Sequence, residues 1–235
     1  MTQIVTLEDV HKDYGNNSVV TKALRGVSLN INAGEFTAMA GPSGSGKSTM
    51  LNLIGGLDRP TSGRVLVEGR DLGELSGTKL SEMRRDRIGF IFQSYNLVPV
   101  LTALENAEYV LMLQGRPTRE RHEIVKAILK DVGLEGMEHR FPRELSGGQQ
   151  QRVAIARAIA PEPALVLADE PTANVDSKTA AGLLDLMGRL NDEKGVTFLF
   201  STHDQSVMKK AKRLILLKDG QITHDGTADG TEEAA

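Results

Sequence analysis

The chain has no cysteine. That excludes a disulfide framework, a thiolate metal site and a cysteine nucleophile, and it fits a reducing compartment. Neither charge is in clear excess: 28 Lys and Arg stand against 31 Asp and Glu, for a net charge of −3. Such a balance exerts no global pull on nucleic acid or anionic lipid, so no nucleic-acid partner is expected. No apolar run approaches the ~18 residues of a membrane span. The first eight residues carry acidic and polar side chains and no apolar stretch of the kind a signal peptide needs. The expectation is a soluble protein in which any membrane role comes through a partner. What is present is ordinary globular material. There are 235 residues, 40% apolar and 25% charged, enough to bury a sizeable core.

Apolar and polar residues alternate over 4–7 and 24–31, which predicts half-buried strands of an antiparallel layer. Ala33-Gly34-Glu35 reads as a turn, 36–40 as a short strand and 48–57 as a helix. Further strands are predicted over 64–68 and 88–92. Between 102 and 159 the spacing turns helical, with Leu104, Ala107 and Leu111, then Ile124, Ala127 and Ile128, mostly three or four apart. Strand and helix alternate again over 164–168, 179–190, 196–201, 205–212 and 213–217. This alternation predicts an α/β fold, a mainly parallel sheet with helices on both faces and a helical subdomain inserted in it. The end, 225–235, is small, polar and acidic and reads as a frayed tail.

Gly41-Pro42-Ser43-Gly44-Ser45-Gly46-Lys47-Ser48 matches the P-loop pattern between a predicted strand and a predicted helix. Glycines let the backbone curl so that successive N–H groups point at phosphate oxygens. The helix start adds its positive end. Lys47 brings a full charge to the β- and γ-phosphates, and Ser48 offers a hydroxyl to Mg²⁺. The apolar run 164–168 ends directly in Asp169 and Glu170. Carboxyl ends of strands are where ligands sit in open α/β sheets. Asp169 is placed to hold Mg²⁺, directly or through water. Glu170 is placed to orient or deprotonate a water.

Leu145-Ser146-Gly147-Gly148-Gln149 opens a predicted helix. Its hydroxyl and bare backbone N–H groups read as a second anion site. At these residues the chain resembles the ATP-binding cassette (ABC) ATPases, whose distinguishing motif is LSGGQ. The resemblance runs from about Ile4 to Asp225, with Tyr14, the P-loop, Gln93, LSGGQ, Asp169-Glu170, Asp176 and His203 in family order. Val175 stands where many relatives carry Leu. The resemblance implies a P-loop NTPase (RecA-like) parallel-sheet core with an N-terminal antiparallel β subdomain. It implies an ABC ATPase domain over 1–225 with a helical subdomain at about 94–160, followed by a disordered tail at 226–235.

The resemblance also implies roles. The cofactors would be ATP and Mg²⁺, with phosphates held by Gly41, Pro42, Ser43, Gly44, Ser45, Gly46, Lys47, Ser48 and Thr49. Tyr14 would stack on adenine. Ser48, Gln93 and Asp169 would serve the metal, Asp169 through water. Glu170 would act on the attacking water, and His203 would contact the γ-phosphate. Gln93 would also sense a membrane partner, and Asp176 would communicate across a dimer. Ser146, Gly147, Gly148 and Gln149 would bind ATP in trans, in a head-to-tail homodimer. The partners would be integral membrane permease subunits, and the location the inner face of a bacterial cytoplasmic membrane.

Residues 92–99 and 101–106, with Asp169-Glu170-Pro171-Thr172-Ala173-Asn174, look like the lipoprotein-releasing and macrolide-exporter (LolD/MacB-like) branch. A cell-division (FtsE-like) ATPase and a soluble non-transport ABC ATPase are the alternatives. Chromosome-structure relatives carry a long coiled coil between P-loop and second acid motif, and no sustained heptad run lies between Lys47 and Asp169. The apolar stretch 95–101 has two readings: a groove for a membrane subunit's coupling helix, or packing of the helical subdomain onto the core.

Overall fold

The computed structural model describes residues 2–16 and 19–227. The chain opens with strands β1 (Gln3–Asn16), β2 (Val19–Asn32) and β3 (Phe36–Ala40). Helix α1 (Lys47–Ile54), strands β4 (Ser62–Val67) and β5 (Arg70–Asp71) and helix α2 (Gly77–Arg87) follow. Next come β6 (Ile88–Ile91), α3 (Ala103–Leu113), α4 (Thr118–Asp131), a 3₁₀ turn (Pro142–Glu144) and α5 (Gly147–Ile159). Then come β7 (Leu165–Asp169) and α6 (Ser177–Lys194). The last elements are β8 (Phe198–Thr202), α7 (Gln205–Lys210), β9 (Arg213–Lys218) and β10 (Gln221–Gly226). They form two compact units. The first comprises Met1–Glu82 and Thr197–Ala235, the second Met83–Val196.

The first unit carries the expected antiparallel layer, in strand order β2-β1-β4-β5. Val5, Leu7 and Val10 of β1 and Leu24, Val27, Leu29 and Ile31 of β2 are buried. In the same unit β3 pairs in parallel with β8 and β9. Every residue of β3 and of β8 is buried, the polar Thr37, Ser201 and Thr202 included, as in a strand covered on both faces. Phe36 packs its ring at 5.7 Å from that of Phe198 and 5.0 Å from that of Phe200. The C-terminal end of β3 runs straight into the P-loop, so the buried strand fixes where that loop starts.

The tail begins later than the composition suggests. Asp225 and Gly226 belong to β10, which pairs antiparallel with β9. Arg213 holds Asp225 by two bonds of 2.7 Å. The signal was the Asp219-Gly220 dipeptide, both residues at positive φ, which closes a hairpin. Residues 228–235, the rest of the expected tail, lie outside the described residues. β5 was also missed, and α2 was read only over 84–87, as a solvated helix face. The buried apolar residues of α2 are only Leu80 and Met83, too few to show a period.

In the second unit β6 lies parallel to β7, with Ile88 opposite Leu165 and Ile91 opposite Ala168. Residues 102–159 are helical as expected, holding α3, α4, the 3₁₀ turn and α5 and no strand. α3 starts at a capping box: the Thr102 hydroxyl accepts from Glu105 N–H, and the Glu105 carboxylate accepts from Thr102 N–H. One side chain ties the loop after β6 to this helix. Asn106, 1% exposed, accepts from Val98 N–H at 2.7 Å. It donates to the carbonyls of Val98, Leu101 and Thr102 at 3.1, 2.9 and 3.0 Å.

Two outcomes follow. Asn106→Ala should destabilise the chain by about 2 kcal/mol in urea unfolding, because one buried amide serves four backbone groups; a loss below about 0.5 kcal/mol would contradict this reading. The second outcome concerns pH. Glu35 accepts from Arg213 at 2.8 Å. Burial raises its pKa, but bonds from Asn32 and Arg213 outweigh burial and hold it below its ordinary 4.5. A lowered native pKa contributes stability that is present above pH 4.5 and lost as pH falls through the native value. Arg213→Met should therefore be less stable than the parent at pH 7, and the gap should narrow in unfolding curves taken below about pH 4.

Candidate functional site

The P-loop spans the end of β3 and the start of α1, and two close backbone approaches shape it. A Cβ on Gly41, at φ 150°, would lie 2.1 Å from the Leu217 carbonyl oxygen. One on Gly46, at φ 107°, would lie 2.6 Å from the Ala23 carbonyl oxygen. Only glycine fits either place. The turn after β9 also holds the loop, with Gly220 N–H donating to the Ser45 carbonyl at 3.1 Å. The first N–H groups of α1 have no partner within the helix, so they form the positive end of the cradle. Lys47, only 8% exposed, donates to the carbonyls of Gly41 at 2.7 Å and Pro42 at 3.0 Å. The ammonium is thereby drawn over the loop with two of its three donors in use. The Ser45 hydroxyl is buried and has no partner among the described residues. The loop, its lysine and the orphan hydroxyl suit a polyphosphate.

Tyr14 sits on β1 in the same unit. Its hydroxyl donates to Asp58 Oδ2 at 2.8 Å. Lys12 Nζ donates to Asp58 Oδ1 at 2.8 Å and lies 4.7 Å from the Tyr14 ring centroid. Burial, then the bond to Asp58, raises the Tyr14 pKa. Burial pushes the Asp58 carboxyl upward too, but bonds from Lys12 and Tyr14 outweigh it and hold it low. Sequence reasoning put Thr49 on the phosphates and passed over Lys12 and Asp58; Thr49 lies in the first turn of α1, next to Ser48. His203, exposed, follows β8 in this unit.

The second unit gathers Gln93, the LSGGQ residues, Asp169, Glu170 and Asp176. Ser146 caps α5. Its hydroxyl accepts from Gln149 N–H, and Gln149 Oε1 accepts from Ser146 N–H at 2.9 Å. Ser-x-x-Gln is a capping-box pattern readable from sequence, so the Gln149 side chain is committed to its own helix. Asp176 likewise caps α6, accepting from Lys178 N–H, Thr179 N–H and the Thr179 hydroxyl at 3.1, 3.0 and 2.6 Å. The Thr179 hydroxyl, first among these bonds, lowers its pKa.

These motifs meet through neighbours that the sequence reading did not single out. Asn174 Nδ2 donates to the Gln93 carbonyl at 2.9 Å. The Tyr95 hydroxyl donates to the Asn174 carbonyl at 3.0 Å. It leaves no room for a side chain at 147, since a Cβ there would come 2.7 Å from it. A Cβ at 148 would come 2.3 Å from Thr179 Cγ2. Tyr95 and Asn96 stand at φ 59° and 48°, and Arg157 of α5 donates to both their carbonyls at 2.9 and 2.6 Å. Burial lowers the Arg157 pKa. Gln151, 1% exposed, donates to the Pro171 carbonyl at 2.6 Å. β7 delivers Asp169 at its last position, and Glu170 follows at φ 47°, a left-handed conformation unusual for a side chain this long. Such strain gathers at functional sites.

Comparison with known proteins identifies the family. The family model described as "ABC transporter" matches residues 24–173. The chain is 50% identical over 226 residues to the lipoprotein-releasing system ATP-binding protein LolD of Anaeromyxobacter dehalogenans, covering 96% of this chain and 95% of that one. It is 45% identical to the macrolide export ATP-binding/permease protein MacB of Hyphomonas neptunium, covering 99% of this chain and 35% of that protein. The dimeric, ADP- and Pi-bound ATP-binding cassette MJ0796, a protein of Methanocaldococcus jannaschii, superposes with a TM-score of 0.88. That match has 45% identity and covers 97% of this chain and all of the other. Its P-loop, its fold and these relatives agree: this chain belongs to the ABC transporter family and is an ATP-binding ATPase.

Proposed function

We propose that the chain is the ATP-hydrolysing subunit of a membrane transporter or mechanotransmission complex of the LolD/MacB kind, working as a head-to-tail homodimer. Each ATP would lie between the P-loop of one subunit and the LSGGQ segment of its partner. The observation that carries this reading is the P-loop itself, with its three glycines at positive φ and the ammonium of Lys47 drawn over it. The relatives support the assembly: MJ0796 is dimeric, and MacB joins ATP-binding and permease parts in one chain.

Catalysis would rest on position and charge, because phosphoryl transfer asks little covalent chemistry of a protein. Tyr14 receives the adenine. The P-loop amides and Lys47 offset charge on the β- and γ-phosphoryl oxygens. Ser48, Asp169 and Gln93 offer the hard oxygen donors that suit Mg²⁺, which when bound would add positive charge at the phosphates. Glu170 takes a proton from water as the water oxygen bonds to the γ-phosphorus. The bond to the bridging oxygen breaks, and ADP leaves with the electron pair. His203 steadies the γ-phosphoryl group, and Asp176 keeps the helix beside the signature segment in register.

The membrane partner has a surface to meet. Val98 and Val100, 37% and 76% exposed, follow Gln93, and Tyr109, Met112 and Leu113 on α3 are exposed apolar residues of the same unit. Among the described residues no helix is long and apolar enough to cross a membrane, so the permease would supply the spans. The relatives, parts of a lipoprotein-releasing system and of a macrolide exporter, support a working place at the inner face of a bacterial cytoplasmic membrane.

Glu170→Gln keeps the shape and removes the base. It should lower kcat for ATP hydrolysis by about 10²-fold or more while ATP binding, followed by equilibrium titration, is retained. Full hydrolysis by the variant would overturn the assignment of Glu170.

A further inference from the structure

The neighbours of Tyr14 do more than fill space. Tyr14 is 41% exposed, and an exposed tyrosine joined to the protein only by its backbone would swing about two side-chain torsions. Here its hydroxyl is held by Asp58, at the exit of helix α1. Asp58 lies just beyond the helix, its N–H turned back to the Asn52 carbonyl. Lys12, on the same face of β1 as Tyr14, is an ion-pair partner to Asp58 and a cation over the ring. Its side chain is 12% exposed, so solvent screens this contact only in part.

We propose that Lys12 and Asp58 are positioning residues that clamp the Tyr14 ring to the exit of helix α1, making the base platform and the phosphate cradle one preset unit. The clamp fixes the distance between the two places a nucleotide must touch at once. The ring therefore waits in its bound orientation, and nucleotide binding need not order it. Lys12 covers one part of the ring and leaves its exposed part for the base.

This inference rests on the reading of Tyr14 as the base platform, and the test separates the two. The full chain would be titrated with ADP and, separately, with inorganic pyrophosphate, which fills the cradle and has no base. Tyr14→Ala should weaken ADP about 10-fold or more and pyrophosphate less than about 2-fold. Tyr14→Phe keeps the ring and removes only the clamped oxygen; it should weaken ADP about 3- to 5-fold, as should Asp58→Ala and Lys12→Met, again sparing pyrophosphate. If Tyr14→Ala weakens ADP but Tyr14→Phe binds it like the parent, the clamp is overturned and the platform reading stands. If Asp58→Ala weakens ADP and pyrophosphate alike, the residue supports the cradle itself and the clamp is again overturned. If Tyr14→Ala leaves ADP unchanged, both readings fall.

Discussion

The structure depends on how closely backbone can approach backbone around the P-loop. The Leu217 carbonyl closes on Gly41 and the Ala23 carbonyl on Gly46. Gly220 donates to the Ser45 carbonyl from a third side. Strands β2 and β9 and the hairpin after β9 thus form a collar that holds the loop curled and its amides turned inward. An anion cradle works only if those dipoles are oriented before the ligand arrives. The antiparallel layer, the buried β3 and the β9–β10 hairpin all serve that one orientation.

The second unit applies a different constraint. Its motif residues are busy with local bonds: Ser146 and Gln149 with each other, Asp176 with the first turn of α6. In Ser146, Gln149 and Asp176 the side chains fix where helices α5 and α6 start. A Cβ at Gly147 or Gly148 would have to displace the Tyr95 or Thr179 side chain. The Tyr95 hydroxyl, the Asn174 carbonyl and the Arg157 guanidinium then join the loop after β6 to the signature helix and to the loop before α6. Movement in any one of the three must be felt by the others.

Much of this was legible in the residues. The run 36–40 reads as a short strand, and the glycine spacing that follows reads as a phosphate loop. The helical period over 102–159 is legible because Gly115, Pro117, Gly133 and Gly136 fall between the helices. The misses have physical causes. β10 is short and polar, and its only mark is the Asp219-Gly220 turn. Lys12 and Asp58 are 46 positions apart and carry opposite charges like many surface residues. Nothing local reveals that they converge on Tyr14. Asn106, read only as part of a branch resemblance, turns out to be the buried amide that anchors the Val98–Thr102 segment. The role of Gln149 as a cap was readable but stood behind its family motif.

The central claim is that the P-loop of one subunit faces the signature segment of another. A cysteine-free chain lends itself to a direct test. Ser43→Cys and Arg143→Cys would be combined in the Glu170→Gln background and treated with a short bifunctional maleimide. A covalent dimer that forms with Mg·ATP, fails to form with ADP and requires both cysteines is the predicted result. A dimer that forms equally with either nucleotide, or no dimer with Mg·ATP, would contradict the account.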